Sequence, residues 1–144
     1  MNYGTLVGRL PEVIALAAEE NLDILVLQEV RVSRDSMPGV RTAARAAGWT
    51  ALLDGEDEFR NSEGALGRGT MVLARWPVGL DHNPLKDVEP GRFLFFRIHR
   101  EGHRPIRAAN LHLDATDEAR ANRQAAQVLR LLAGTGDDFL AIGD

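Results

Sequence analysis

The sequence predicts an α+β domain, one mixed β-sheet with helices packed against it, on three observations. "RLPEVIALAAEE" (Arg9 to Glu20) has an apolar face at helical spacing, and the unbroken apolar run "DILVLQE" (Asp23 to Glu29) follows it closely. A helix leading into a strand covered on both faces is the rhythm of layered α and β structure. "RFLFFRIHR" and "RPIRAANLHLD" are joined by the short connector Glu101 to His103, which signals a hairpin and therefore an antiparallel pair. A second helix-then-strand unit, "TDEARANRQAAQVLRLLAGTG" followed by "FLAIGD", completes the pattern.

Each element has a local reason. Pro11 suits the first turn of the first helix, and Val13, Ile14, Leu16 and Ala17 make its apolar face. "GVRTAARAAGW" (Gly39 to Trp49) is an Ala-rich helix ending at Gly48, and "TALL" (Thr50 to Leu53) is a short strand. "DGEDEFRNSEGALGRG" (Asp54 to Gly69) is polar and Gly-rich, hence a loop. "TMVLARWPV" (Thr70 to Val78) is a strand that Trp76-Pro77 ends or bends, and residues Gly79 to Gly91 read as another loop. In the long helix Thr116 is the expected N-cap, Asp117 and Glu118 occupy the first turn, and Gly134 fits the stop. Its apolar stripe is Ala121, Ala125, Val128, Leu129 and Leu132.

Composition sets the outer bounds. A chain of 144 residues, 44% hydrophobic and 26% charged, is one soluble domain's worth of sequence. Its net charge of −4 gives no general attraction to nucleic acid or to an anionic membrane. With no cysteine, disulfides and thiolate metal sites are excluded, and the redox compartment is not readable. No apolar run approaches the roughly 18 residues of a membrane span. No basic segment followed by an apolar core is present at the N-terminus, so no secretory leader is read there. Localisation stays open.

Few residues stand in places suited to chemistry. Gln28 and Glu29 end a buried strand, at the rim where ligands bind in α/β sheets. Glu29 is either a strand-ending surface acid or a hard oxygen ligand of the kind Mg²⁺ takes. In "NLHLD", Asn110, His112 and Asp114 share one face if the strand continues through them. Polar groups on such a face are costly unless they are exposed or employed. His112 is then a proton carrier, a phosphate donor or a hydrogen-bonded edge histidine. Arg92 opens a strand after a glycine, where it either grips a phosphate with two parallel bonds or lies exposed on an edge. Asp144 ends the last strand behind Gly143, a common pairing of low specificity. The loop acids Glu56, Asp57, Glu58 and Glu63 read as a solvated face.

Taken in order, these features gain weight. Asn2, a helix, "LDILVLQEV", a loop, "GRGTMVLARWPV", an Arg-led strand, "NLHL", an amphipathic helix and a strand ending "GD" together resemble the endonuclease/exonuclease/phosphatase superfamily, which includes DNase I, exonuclease III, sphingomyelinases and inositol-polyphosphate phosphatases. The resemblance implies a Mg²⁺ (or Mn²⁺) ion held by Glu29, with Asn2 beside it and Gln28 and Asn110 in support. It implies that His112 and Arg92 contact the phosphate and that Asp144 directs the attacking water. His112 also disfavours abasic-site repair of the exonuclease III type.

The departures from that family are equally informative. The Asn of its GD-x-N motif falls beyond Asp144, its later Asp and terminal D-H motif are not found, and only Met1 precedes Asn2. The expectation is therefore a single partial domain over 1–144, clipped at both ends. It would supply one sheet and its helices, half of a four-layer α/β/β/α sandwich, and be inactive without the missing C-terminal half. Its uncovered sheet would favour association. The implied activity is hydrolysis of a phosphate ester, with nucleic acid, phospholipid and phosphoinositide all open as substrates. The alternatives are a non-catalytic α/β module binding a ligand or partner, and a degenerate member using the fold as a scaffold.

Overall fold

The computed structural model describes residues 6–32, 37–53, 67–82, 84–85, 93–134, 136 and 138–143. Helix α1 (Leu6–Glu19) starts earlier than its sequence pattern indicates, so Pro11 lies inside it rather than in the first turn. Leu10 and Ala17, seven residues apart on one face, are the fully buried positions among its described side chains. Strand β1 (Ile24–Val32) follows, then α2 (Met37–Ala46), which buries Met37, Val40 and Ala44. The chain reverses at Gly48, whose φ of 79° only glycine adopts freely, and the Trp49 amide donates back to the Ala44 carbonyl at 2.9 Å. That reversal delivers β2 (Thr50–Leu53) directly onto the sheet.

Strand β3 (Gly67–Ala74) is the centre of the first sheet, with β1 and β2 antiparallel on either side. It takes in three residues the sequence assigns to a loop, and it ends at Ala74. Trp76-Pro77 breaks it because Pro77 has no amide to give to a ladder. The chain then changes sheets as β4 (Val78–Leu80). Strands β5 (Phe93–Ile98) and β6 (Ile106–Leu111) form the expected hairpin. Helix α3 (Glu118–Ala133) crosses over to β7 (Phe139–Gly143), which lies parallel to β6, completing the order β4-β5-β6-β7.

The α+β class holds, but the strands divide between two sheets instead of filling one. Alternation along the strands explains how both are covered. Met71 and Leu73 of β3 point to α1 and α2, packing with Leu10, Ala17, Val40, Ala44 and Trp49. Val72 and Ala74 point the other way, to Leu94, Phe96 and Ile98 of β5 and Ala108 of β6. Phe93 and Phe95 face α3, where Val128 and Leu132 meet them. All four layers, helix, sheet, sheet and helix, are thus present in narrow form.

The helical stripe is corrected in two places. Leu129 is 46% exposed, and a polar residue, Gln124, is buried in line with Val128 and Leu132. Asp117, not Thr116, caps α3, accepting from the Arg120 amide at 2.9 Å. The second sheet is tied at its start by Asp81, which pairs with Arg107 at 2.8 Å and Arg97 at 3.2 Å. Burial pushes its carboxyl up, but hydrogen bonds from the two guanidiniums and the His82 amide outweigh this and hold its pKa below the usual value. Strand β7 is one edge of the second sheet, with Phe139 and Leu140 about two-fifths exposed. No helix among the described residues is long and apolar enough to cross a membrane.

Candidate functional site

The ends of β6 and β7 meet the middle of β1: Gln28 and Glu29 do not end that strand, which runs on to Val32. In β1 the ladder slips: Leu27 pairs with Met71 and Val30 pairs with Gly69, so Gln28 and Glu29 together face Thr70. This is a β-bulge, and it re-aims the side chains it carries. Glu29 adopts a φ of +51°, the left-handed region that L-residues enter at a cost. Its carboxylate is about half exposed, with a side-chain accessibility of 51%.

The bulge sits against a buried amide. Asn110 is fully buried on the inner face of β6, flanked in its own sheet by Leu94 and Ile142. Its Nδ2 donates to the Leu27 carbonyl at 3.2 Å and the Met71 carbonyl at 3.1 Å, and its Oδ1 accepts from Gln28 Nε2 at 2.8 Å. Gln28 Nε2 also lies 3.4 Å from the Leu111 carbonyl. Both Asn110 donors are employed, and reversing its amide would set oxygen against two carbonyls, so its orientation is fixed. Beside this network the Thr70 hydroxyl is buried with no hydrogen-bond partner.

Strand β6 ends at Leu111, so the expected single polar face of Asn110, His112 and Asp114 does not form. The three residues part company. Asn110 points between the sheets, His112 stands just past the strand end, and Asp114 turns into the start of α3. The His112 Nε2 lies 3.9 Å from Glu29 Oε1, too long for a hydrogen bond but close enough for the two groups to meet one ligand.

Asp114 braces that turn. Its carboxylate accepts from the Thr116 amide at 2.9 Å, the Thr116 hydroxyl at 2.8 Å and the Asp117 amide at 3.2 Å, and it pairs with Arg120 at 3.4 Å. Its own amide donates to Gln124 Oε1 at 3.0 Å. The Thr116 hydrogen bonds chiefly, with help from Asp117 and Arg120, lower its pKa from 3.8 to about 2. A depressed carboxyl adds stability above its unfolded pKa and loses it as pH falls through the folded one. Asp114→Asn should therefore melt below wild type at neutral pH. The gap should close as pH falls from 3.8 toward about 2, followed by thermal melts across that range.

Gly143 is the last described residue, and nothing larger fits. A Cβ there would lie 1.9 Å from the Leu111 carbonyl oxygen and 2.7 Å from its carbon. The end of β7 is thus pressed onto the residue that precedes His112.

Glu29, His112, Gln28 and Asn110, widely separated in sequence, are brought together here. Asn2, Arg92 and Asp144 lie outside the described residues, as do the loop acids Glu56, Asp57, Glu58 and Glu63. Among the described residues no group of three His, Asp or Glu side chains is placed to hold a metal ion. Sequence reasoning missed Gln124 and the bulge. Gln124 could have been found as a polar residue four positions before Val128 on the buried face of a helix. The bulge has no signal, because an extra residue in a strand leaves the apolar run looking continuous. A groove lined by Trp76, Pro77, His99, Arg100 and Glu101 opens at the other end of the strands, beyond the pairs Ile24–Ala74 and Ile98–Ile106.

No family model matches the sequence, and no curated protein matches it. Solved structures do. The Neisseria 3′ phosphatase NExo, bound to a product DNA hairpin, aligns with a TM-score of 0.63 at 21% identity, over 97% of this chain and 53% of that one. ANGEL2, a 2′,3′-cyclic phosphatase, aligns at 0.62 and 17% identity, over 94% and 42%. TDP2 of D. rerio, complexed with a single-strand DNA product, aligns at 0.62 and 14% identity, over 99% and 55%. The chain therefore spans about half the length of the structures it matches, and at these identities the likeness is one of fold.

Proposed function

We propose that this chain, which has the fold of the endonuclease/exonuclease/phosphatase (DNase I-like) superfamily, carries part of the catalytic edge of a metal-dependent phosphoesterase. The observation that supports this most is Glu29: a half-exposed carboxylate on a strained bulge within β1, 3.9 Å from a histidine just past the end of β6. Backbone strain concentrates where a side chain must be held for work. Two structural neighbours, a 3′ phosphatase and a 2′,3′-cyclic phosphatase, support the same chemistry. The chain spans about half of each neighbour, so the activity proposed is that of a complete domain.

Among the described residues, Glu29 suits a hard divalent cation. Mg²⁺ is bound through one or two carboxylates, with water and phosphate oxygens making up the rest, and Glu29 supplies one such carboxylate. Asn2 is the proposed second protein group near it. When bound, the ion draws charge from a phosphoryl oxygen and so eases in-line attack at phosphorus. The protein's own groups do the remaining work. Glu29 is kept aimed outward by the bulge; Asn110 bonds the carbonyls beside that bulge, and Gln28 donates to Asn110. His112 donates a proton or a hydrogen bond to a phosphate oxygen or to the leaving group. Arg92 steadies the phosphate, and Asp144 orients the water and accepts its proton.

Binding of Mn²⁺ to the full chain, followed by titration calorimetry, tests the reading. Affinity in wild type, lost in Glu29→Gln, is the expected result. Equal binding by both, or none by either, would overturn it and favour a module that binds without catalysis. The substrate class proposed is a phosphate ester. A nucleic acid is favoured within it by the DNA products seen with two of the structural neighbours.

A further inference from the structure

We infer that Asn110 is a positioning residue: reaching across from the second sheet, it keeps Glu29 in its left-handed backbone conformation. The functional consequence rests on the reading of Glu29 given above, but the conformational claim stands without it. A non-glycine residue stays at a φ of +51° only where its surroundings over-determine the backbone. Something specific must hold it there.

Every described side-chain hydrogen bond of Asn110 goes to the bulge or to the residue pair beside it. Leu27 is the last residue in register before it, Met71 is the residue opposite Leu27, and Gln28 is the first of the two unmatched residues. The two carbonyls come from both strands of the slipped pair, so one amide spans the place where the ladder fails. The third bond grips the side chain adjoining Glu29. None of the three serves Asn110's own sheet, where its neighbours Leu94 and Ile142 offer only apolar side chains. A core asparagine needing only satisfaction would be met by any donors and acceptors nearby. This one is met solely by atoms whose spacing defines the bulge.

The chemistry permits few substitutes. Leucine would remove the bonds that the Leu27 and Met71 carbonyls accept from the amide, and aspartate would present oxygen to both. Returning Glu29 to an extended conformation would restore simple alternation in β1. That would carry its carboxylate to the opposite face of the strand, away from His112.

The test reads the backbone directly. In the full chain, the three-bond amide-to-Hα coupling of Glu29 reports its φ. In Asn110→Ser, the coupling should shift to the value of an extended residue, while in Gln28→Ala it should stay near wild type because both carbonyl bonds remain. A folded Asn110→Ser chain with an unchanged Glu29 coupling would overturn the inference. If Asn110→Ser does not fold, the wild type decides. The Asn110 side-chain amide protons should exchange with solvent in step with the Val30 and Gly69 amides, and exchange more than tenfold faster than those would overturn the inference. Mn²⁺ affinity, measured on the same samples, should fall more than tenfold in Asn110→Ser. If wild type binds no Mn²⁺, the metal reading fails while the coupling result still decides the role of Asn110.

Discussion

Gly143→Ala is expected to destabilise the chain by about 3 kcal/mol, the upper end of what overpacking costs when one extra carbon is forced into a filled site. The new Cβ would meet the Leu111 carbonyl oxygen at 1.9 Å. That oxygen belongs to the backbone of a central strand, so no side chain can swing aside to make room. Either β7 lifts from β6 or β6 distorts, and both changes disturb the segment that carries His112. For a chain of this size the loss corresponds to a melting temperature lowered by roughly 10 °C. Gly39→Ala is the control. It lies in α2 with nothing within 4 Å of the added carbon, and should be neutral or slightly stabilising. Calorimetric melts of both variants check the pair. Equal melting temperatures would show that the approach of β7 to β6 is not the constraint described.

Glu29→Gly and Glu29→Ala should both weaken Mn²⁺ binding by about tenfold or more, the loss that removing even a supporting group near a metal brings. Their stabilities should part. Alanine keeps the left-handed strain of about 1–2 kcal/mol. Glycine is released from it, although its greater freedom when unfolded returns roughly 0.5–1 kcal/mol. The glycine variant should therefore be the more stable of the two by up to about 1.5 kcal/mol. Denaturant titration resolves a difference of that size between two variants of one chain. If alanine proves at least as stable as glycine, the bulge at Glu29 is not under strain. The experiment separates what the carboxylate does from what its backbone costs.

The order of elements was legible in the sequence because each has a local cause. The apolar run into Gln28-Glu29, the hairpin around Glu101 to His103 and the capped helix before Phe139 all follow from short-range pattern. The split into two sheets was not legible, since pairing joins residues far apart and alternation looks the same in either sheet. Pro77 was the one mark of the boundary. At the site, Glu29 and His112 stood out by type and are near each other in space, although Glu29 lies inside β1 and not at its end. Asn110 was noted only as support. Its reach to the carbonyls of Leu27 and Met71 depends on how two sheets face each other, which no window of sequence encodes. Asp114 was grouped with His112 on a strand face that ends too soon, because the turn into α3 claims it.

The first sheet is built wholly from residues 24–74 and the second from residues 78–143, with three residues between them. Each is a contiguous unit that can pair its own strands before the two meet along the seam of Val72, Leu94 and Phe96. The Gln28–Asn110 bond, 82 residues apart in sequence, belongs to neither unit alone. A partly folded chain with both sheets formed would thus keep its hydrogen-bonded ladders and still lack the site. The Gln28–Asn110 contact depends on the docking of the two sheets, so loosening the seam is expected to break it before either ladder is lost.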